Sequence, residues 1–176
     1  MTPVLATERL RLRPLRVDDA EALHPALADA ALMTWWSSAP HSSVVETRAY
    51  FAARIERDPT WRCWAITLGD DDTAIGWVAA GEKRQGGVTE IGYLLARRHW
   101  GSGVATEAVS AVIDRLFAEG QRRVFADTDP ENTPSLALLE RLGFRREGLL
   151  RGEWETHIGV RDSVILGLMK DEWRRS

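Results

Sequence analysis

Glu90-Ile-Gly-Tyr-Leu-Leu95, followed after four residues by Trp100-Gly-Ser-Gly-Val-Ala-Thr-Glu-Ala108, is the stretch on which the reading of this chain turns. The first part belongs to a strand predicted over Val88 to Leu95. The second runs into a helix, because Ala105, Ala108, Val109, Val112, Ile113, Leu116 and Phe117 recur at helical spacing and Gly120 closes the run. Val124 to Thr128 reads as a short strand. Such a strand–helix–strand unit demands a right-handed crossover between parallel neighbours. Gly101 and Gly103 let the backbone turn tightly and come close to a ligand. The first N–H groups of a helix lack internal partners, and the helix dipole favours an anion there. Together these features make a pyrophosphate cradle, to which Arg97 and Arg98 can add charge-assisted contacts. Gly-x-Gly alone also fits an ordinary tight turn. Without a following Gly-Lys-Ser/Thr it is not a nucleotide P-loop, and without a third glycine it is not the full dinucleotide fingerprint.

Upstream, Trp61 to Leu68, Thr73 to Gly81 and Val88 to Leu95 are three strands separated by the turns Gly69 to Asp72 and Gly86-Gly87, so antiparallel pairing is expected. Leu10 and Leu12 alternate with Arg9, Arg11 and Arg13, which predicts a strand with one wet face. Asp18 and Asp19 can cap a helix running through Leu23 and Leu27, and Ser42 or Ser43 a second from Val44 to about Ile55. Between them, Ala31 to Ser43 is irregular and holds Trp35, Trp36, Pro40 and His41. Downstream, a helix begins near Thr133 with Pro134 in its first turn and stops at Gly143-Phe144. Strands near Arg145 to Trp154 and Ser163 to Met169 follow. The order β-α-α-β-β-β-α-β-α-β-β is an α/β fold: a mixed, mostly antiparallel sheet with one parallel crossover.

The 176 residues fit one domain, 1–176, long enough to bury a core. A net charge of −3 argues against a nucleic-acid partner and suits a cationic amine. Cys63 is the single cysteine, placed mid-strand as an inert core thiol, and no internal disulfide can form. The N-terminus lacks a signal-peptide pattern, and no run of about 18 apolar residues predicts a membrane span; a cytoplasmic protein is expected. His24, His41, His99 and His157 show no metal-ligand spacing, so no metal is expected. Most of the eight tryptophans are expected in the core, with a few free to line an acceptor site.

Four segments in order carry a resemblance: Thr7-Glu-Arg-Leu-Arg-Leu-Arg-Pro-Leu15 with Asp18 and Asp19; Glu90 through Ala108; Asn132-Thr-Pro-Ser135 through Gly143-Phe144 to Glu147-Gly148; and Arg161-Asp162. They resemble the GNAT superfamily of N-acetyltransferases, and within it the RimJ/RimL (ribosomal-protein N-acetyltransferase) type, over nearly the whole chain. The resemblance implies a twisted sheet with helices on both faces and a parallel pair that splays at Tyr93–Leu95 and near Asp127. It implies an acyltransferase that moves an acetyl group from acetyl-CoA to a primary amine, on a protein N-terminus or a small molecule, by direct attack. The pantetheine arm would run along Tyr93, Leu94 and Leu95, bonded to the backbone of Tyr93 and Leu95. Gly101, Ser102, Gly103, Val104, Ala105 and Thr106 would hold the pyrophosphate, and Asn132 would contact the pantetheine or thiol end; Ser135, in the same motif, is a further candidate cofactor contact. Trp35 and Trp36 fall in the acceptor-lid region. The chain departs from the pattern at Trp100, where many loops have Gln or Arg, and at Leu139, where many enzymes carry the tyrosine that protonates the leaving thiolate.

Glu90 reads either as the general base or as a strand-edge salt bridge. Asp127 is the rival base or a cap or turn residue. With Leu139 in the tyrosine position, Ser135 is the nearest motif-borne hydroxyl for the thiolate, against a plain role in helix capping. Two other functions stay open: a CoA-binding module without transferase activity, and an acetyltransferase for antibiotics, polyamines or amino acids. Acceptor identity is not legible, nor is oligomeric state; a homodimer is an open expectation.

Overall fold

Thirteen elements are laid out along the residues that the computed structural model describes, 2–56, 60–84 and 86–173, with the backbone alone at 84. They are β1 (Leu5–Ala6), β2 (Leu10–Pro14), α1 (Ala20–Leu27), α2 (Ala30–Met33), α3 (Val44–Glu56), β3 (Trp61–Leu68), β4 (Asp71–Arg84), β5 (Val88–Leu95), α4 (Val104–Ala118), β6 (Arg123–Thr128), α5 (Thr133–Arg141), β7 (Arg145–Thr156) and β8 (Gly159–Met169). The strands form one sheet in the order β1-β2-β3-β4-β5-β6-β8-β7. Every neighbouring pair is antiparallel except β5–β6. That pair is the crossover expected around α4, and it is short. Val88 faces Arg123, Thr89 faces Val124 and Glu90 faces Phe125, and there the pairing ends. From Ile91 onward β5 stays bonded to β4 but not to β6. The sheet therefore opens into a gap at its centre.

Strand alternation sorts β5 between two cores. Ile91 and Leu95 pack with Val104, Ala108, Val112 and Ile113 of α4 and with Leu136 and Leu139 of α5. Leu94 packs on the opposite face with Trp77, Ala79 and the α1–α3 residues Leu23, Leu27, Met33 and Phe51. Each such buried Leu, Ile or Phe contributes roughly 1.5–3 kcal/mol relative to exposure. Helices thus pack on both faces of β5, while beyond Glu90 only its β4 edge is held by the sheet.

Several local expectations are corrected. The wet face predicted for β2 is broken at Arg13, which is only 2% exposed. Its guanidinium makes a bidentate pair with Asp19 at 2.9 and 2.6 Å and reaches Asp72 at 2.6 Å, so charge pairing carries it inside. Asp19 accordingly does not cap α1; its carboxylate serves Arg13 and the Arg16 N–H. The predicted irregular run from Ala31 begins inside the short helix α2, capped by Asp29. Strand β4 outruns Thr73–Gly81 at both ends, and β8 starts at Gly159 rather than Ser163. As expected, Ser43 accepts from the N–H of Glu46 in the first turn of α3, and Cys63 is buried, its thiol pushed up by burial.

Candidate active site

The gap is flanked by two cavities, of about 350 and 230 Å³. The larger lies over Leu94, Leu95, Trp100, Gly101, Gly103, Ala105 and Thr106 and reaches Leu138 and Arg141 of α5. The smaller lies over Glu90, Gly92, Asp127, Trp61, Trp154 and Arg161. Five residues line both: Trp35, Trp36, Tyr93, Asn132 and Ser135. These five form the neck through which the two spaces meet.

The walls of the larger cavity follow from backbone geometry. A Cβ on Gly76 would collide with the Leu94 carbonyl, so that carbonyl faces β4. By alternation Tyr93 and Leu95 turn their N–H and C=O groups into the gap. The Leu95 carbonyl is already taken by the Trp100 indole N–H at 2.7 Å, leaving the Leu95 N–H and the Tyr93 backbone for a ligand. Trp100 thus ties the loop back to the strand it follows. Gly101 and Gly103 have φ of +72° and +79°, a region that side chains disfavour. A Cβ on Gly101 would touch nothing, so that side of the loop is open. The N–H groups from Gly101 to Thr106 have no acceptor among the described residues. Unpaired amides at a helix N-terminus suit a pyrophosphate. Of the residues expected there, Ser102 and Val104 line neither cavity. The Ser102 hydroxyl donates to the His99 carbonyl and Val104 is buried, so each offers only its backbone N–H.

Sequence reasoning missed the brace under this loop. Arg9 donates to the Ser102 carbonyl at 2.9 Å and to Glu107 at 2.7 Å, and Thr7 and the Arg9 N–H also donate to Glu107. The contacts bridge nearly a hundred residues, and no local pattern announces them. Arg97 does not face the larger cavity; it pairs with Asp29.

In the smaller cavity Glu90 carries both of its expected characters. Lys83 lies 3.5 Å away as a strand-edge partner. Burial nevertheless pushes the Glu90 carboxyl above the usual carboxylate range; Lys83 opposes the shift and nearby Asp127 adds to it. Gly92, on the same face, leaves open space beside it. Asp127 is neither a cap nor a turn residue: its carboxylate accepts from the Ser163 hydroxyl and from the Trp154 indole N–H at 3.1 Å. Trp61, Trp154 and Arg161 are lining residues that strand patterning did not single out. Arg161, noted only for its motif, pairs with Asp129 and Glu131. The β7–β8 hairpin tip meets the segment after Trp36 through the His157 N–H and the Ser37 carbonyl.

At the neck, Asn132 caps α5 by accepting from the Ser135 N–H at 3.3 Å, so Ser135 is not the cap. The Ser135 Oγ lies 2.7 Å from the Tyr93 hydroxyl. Trp36 packs on Trp77 with ring centroids 5.7 Å apart, and the Arg54 guanidinium stacks over it, so it belongs partly to the core. Leu139 is fully buried and lines neither cavity.

A parallel pair that parts at the centre of the sheet is the geometry that the sequence resemblance implied; the second cavity across the neck was not part of it. The acetyltransferase (GNAT) domain family matches residues 9–145. The chain belongs to the GNAT family of N-acetyltransferases. This GNAT acyltransferase is 33% identical over 173 residues to p20 of Bacillus licheniformis, an uncharacterized N-acetyltransferase, covering 96% of this chain and 97% of that one. RimJ of Mycobacterium smegmatis, solved with CoA-disulfide, shares 31% identity and a TM-score of 0.82 over 95% of this chain and 85% of its own. The GNAT fold is also shared with spermidine N-acetyltransferase of Vibrio cholerae, at 21% identity and a TM-score of 0.80 over 94% and 98% of the two chains. No helix among the described residues is long and apolar enough to cross a membrane.

Proposed function

We propose that this N-acetyltransferase takes acetyl-CoA in the larger cavity and a primary amine in the smaller one, and that the acetyl group crosses the neck by direct attack. The observation that carries this reading is the sharing of Tyr93, Asn132 and Ser135 by both cavities. A thioester lying along β5 and an amine beside Glu90 then meet without either leaving its site. Holding two reactants so supplies much of the rate. The residues fit the cosubstrate: six free N–H groups from Gly101 to Thr106 suit its pyrophosphate, and the Tyr93 and Leu95 backbone suits its pantetheine amides. The Tyr93 backbone N–H, facing the gap, is placed to polarise the thioester carbonyl.

The amine arrives as an ammonium ion, since alkylamines are mostly protonated at neutral pH. In the smaller cavity that charge would meet the carboxylates of Glu90, Asp127 and Asp162, set against the guanidiniums of Arg54 and Arg161. Asp127 and Asp162 have no cationic partner among the described residues, and Trp35, Trp36, Trp61 and Trp154 wall the space. Glu90, raised toward neutrality, takes the proton directly or through water by way of the opening at Gly92. Attack on the carbonyl forms the C–N bond, the adduct nitrogen loses its second proton to water, and the C–S bond then breaks to release the thiolate beside Ser135. A protein N-terminus and a small molecule both meet these requirements. Initial-rate kinetics test the ternary complex. With both substrates varied, intersecting double-reciprocal lines are expected; parallel lines, together with an isolable acetyl-enzyme, refute direct attack.

A further inference from the structure

The geometry points to Tyr93 as a positioning residue for the leaving group: its phenol donates to Ser135 and so commits the serine proton to the departing thiolate. This rests on the proposed reading of the two cavities. The tyrosine that many relatives carry on the helix after the asparagine is Leu139 here, and its side chain is buried in the core with Leu136, out of both cavities. A tyrosine hydroxyl nonetheless stands at the neck, supplied from the opposite wall. Tyr93 projects from β5 toward α5, and its hydroxyl meets the Ser135 Oγ at 2.7 Å, 42 residues away in sequence.

Each hydroxyl has one proton, so the direction of the bond matters. If Ser135 donated to Tyr93, its proton would be spent there, and the phenol's own proton, not the serine's, would be free for sulfur. The phenol is the stronger acid and the alcohol oxygen the better acceptor, so Tyr93 donates. Its other acceptor, the Ser135 carbonyl, lies at 3.4 Å, which leaves Oγ as the good partner. Burial pushes the Tyr93 hydroxyl up to about 12, so it keeps its proton throughout the working pH range. Donation into Oγ polarises the serine O–H, and hydrogen bonds in series strengthen one another. When the tetrahedral adduct collapses, the C–S bond breaks and its electron pair leaves on sulfur. The Ser135 O–H donates a hydrogen bond to that charge. Solvent later protonates the released thiolate, and both hydroxyls end the turnover unchanged.

The test is a double-mutant cycle of Tyr93→Phe and Ser135→Ala, read as kcat and acetyl-CoA KM with an amine that the wild type acetylates. Tyr93→Phe keeps the ring and removes only the hydroxyl. It is expected to lower kcat about tenfold, the order of one lost hydrogen bond, with KM within about twofold. The double variant should be no slower than Ser135→Ala, because without Oγ the phenol has nothing to orient. Replacing Tyr93 with 3-fluorotyrosine, a more acidic phenol, should keep or raise kcat. Tyr93→Phe at the wild-type rate overturns the inference, and so does a double variant that loses the product of the two single effects. Should Tyr93→Phe not fold, a fluorotyrosine series decides: kcat that falls as the phenol becomes more acidic refutes the assignment. A wild type that turns over while Tyr93→Phe keeps its rate refutes only this pair; a wild type that acetylates no amine refutes the two-cavity reading with it.

Discussion

Replacing Glu90 with Gln removes the negative charge and the proton acceptor while keeping the size of the side chain. The structure sets what should follow. Glu90 is 22% exposed at its side chain, with Lys83 at 3.5 Å and Asp127 close enough to raise it further. General bases contribute about 10² to 10⁴ in rate. The lower end applies here, because Asp127 faces the same cavity and open space at Gly92 admits water. A loss of about 100-fold in kcat/KM near neutral pH is expected, about 2.7 kcal/mol of barrier. The assay is release of CoA thiol at initial rate across pH. Wild type should show an ascending limb as Glu90 loses its proton. The variant should regain part of its activity at high pH, where free amine is abundant. Stability should move the other way. A carboxyl raised on folding binds its proton more tightly in the folded chain, so wild-type stability falls as pH rises from the ordinary carboxylate range through the raised value. The Gln variant should therefore unfold at a higher temperature at neutral pH, with the difference vanishing at low pH. Lys83 is half exposed and loses little when its partner goes. A variant with the wild-type rate and pH profile refutes the assignment of Glu90 as base.

Gly103→Val must place a β-branched side chain at φ +79°, a strain of roughly 1–2 kcal/mol, with its Cβ 3.3 Å from the Arg9 guanidinium. Acetyl-CoA affinity, by calorimetry, should fall at least about tenfold while the far-ultraviolet circular dichroism stays unchanged. Trp36→Ala should raise the acceptor KM, and, because Trp36 also packs on Trp77, lower the unfolding temperature; an unchanged acceptor KM makes it a core residue only. Asp19→Ala leaves buried Arg13 with the half-exposed Asp72 as its remaining carboxylate partner and should cost about 3 kcal/mol in denaturant unfolding, with acetyl-CoA affinity unchanged in the folded fraction.

What was legible in the sequence was local. Alternation and glycine turns placed β3 and β5 to the residue, and helical spacing with Gly-x-Gly placed the start of α4 and the loop before it. What escaped was made by partners distant along the chain. The burial of Arg13 depends on Asp72, 59 residues on; the brace on the loop joins Arg9 to Glu107; the hydroxyl at the neck joins Tyr93 to Ser135. Strand β4 ran past Gly81 because Glu82 and Arg84 pair with Thr89 and Val88, and cross-strand pairing leaves no mark in the hydrophobic pattern. The smaller cavity was the hardest to foresee, since Trp35, Trp61, Asp127 and Trp154 come from four separate segments. Strand alternation assigns each a face but cannot say that the faces meet.

Transfer itself is the most direct test. Purified protein, acetyl-CoA and a panel of primary amines, including peptides with free N-termini, polyamines and amino acids, are followed by thiol release and by mass spectrometry of the acceptor. The account predicts thiol release that depends on one class of amine, matched one to one by acetylated product, and lowered by Gly103→Val when acetyl-CoA is below saturation. Tight acetyl-CoA binding with no acetylated product from any amine in the panel would contradict it.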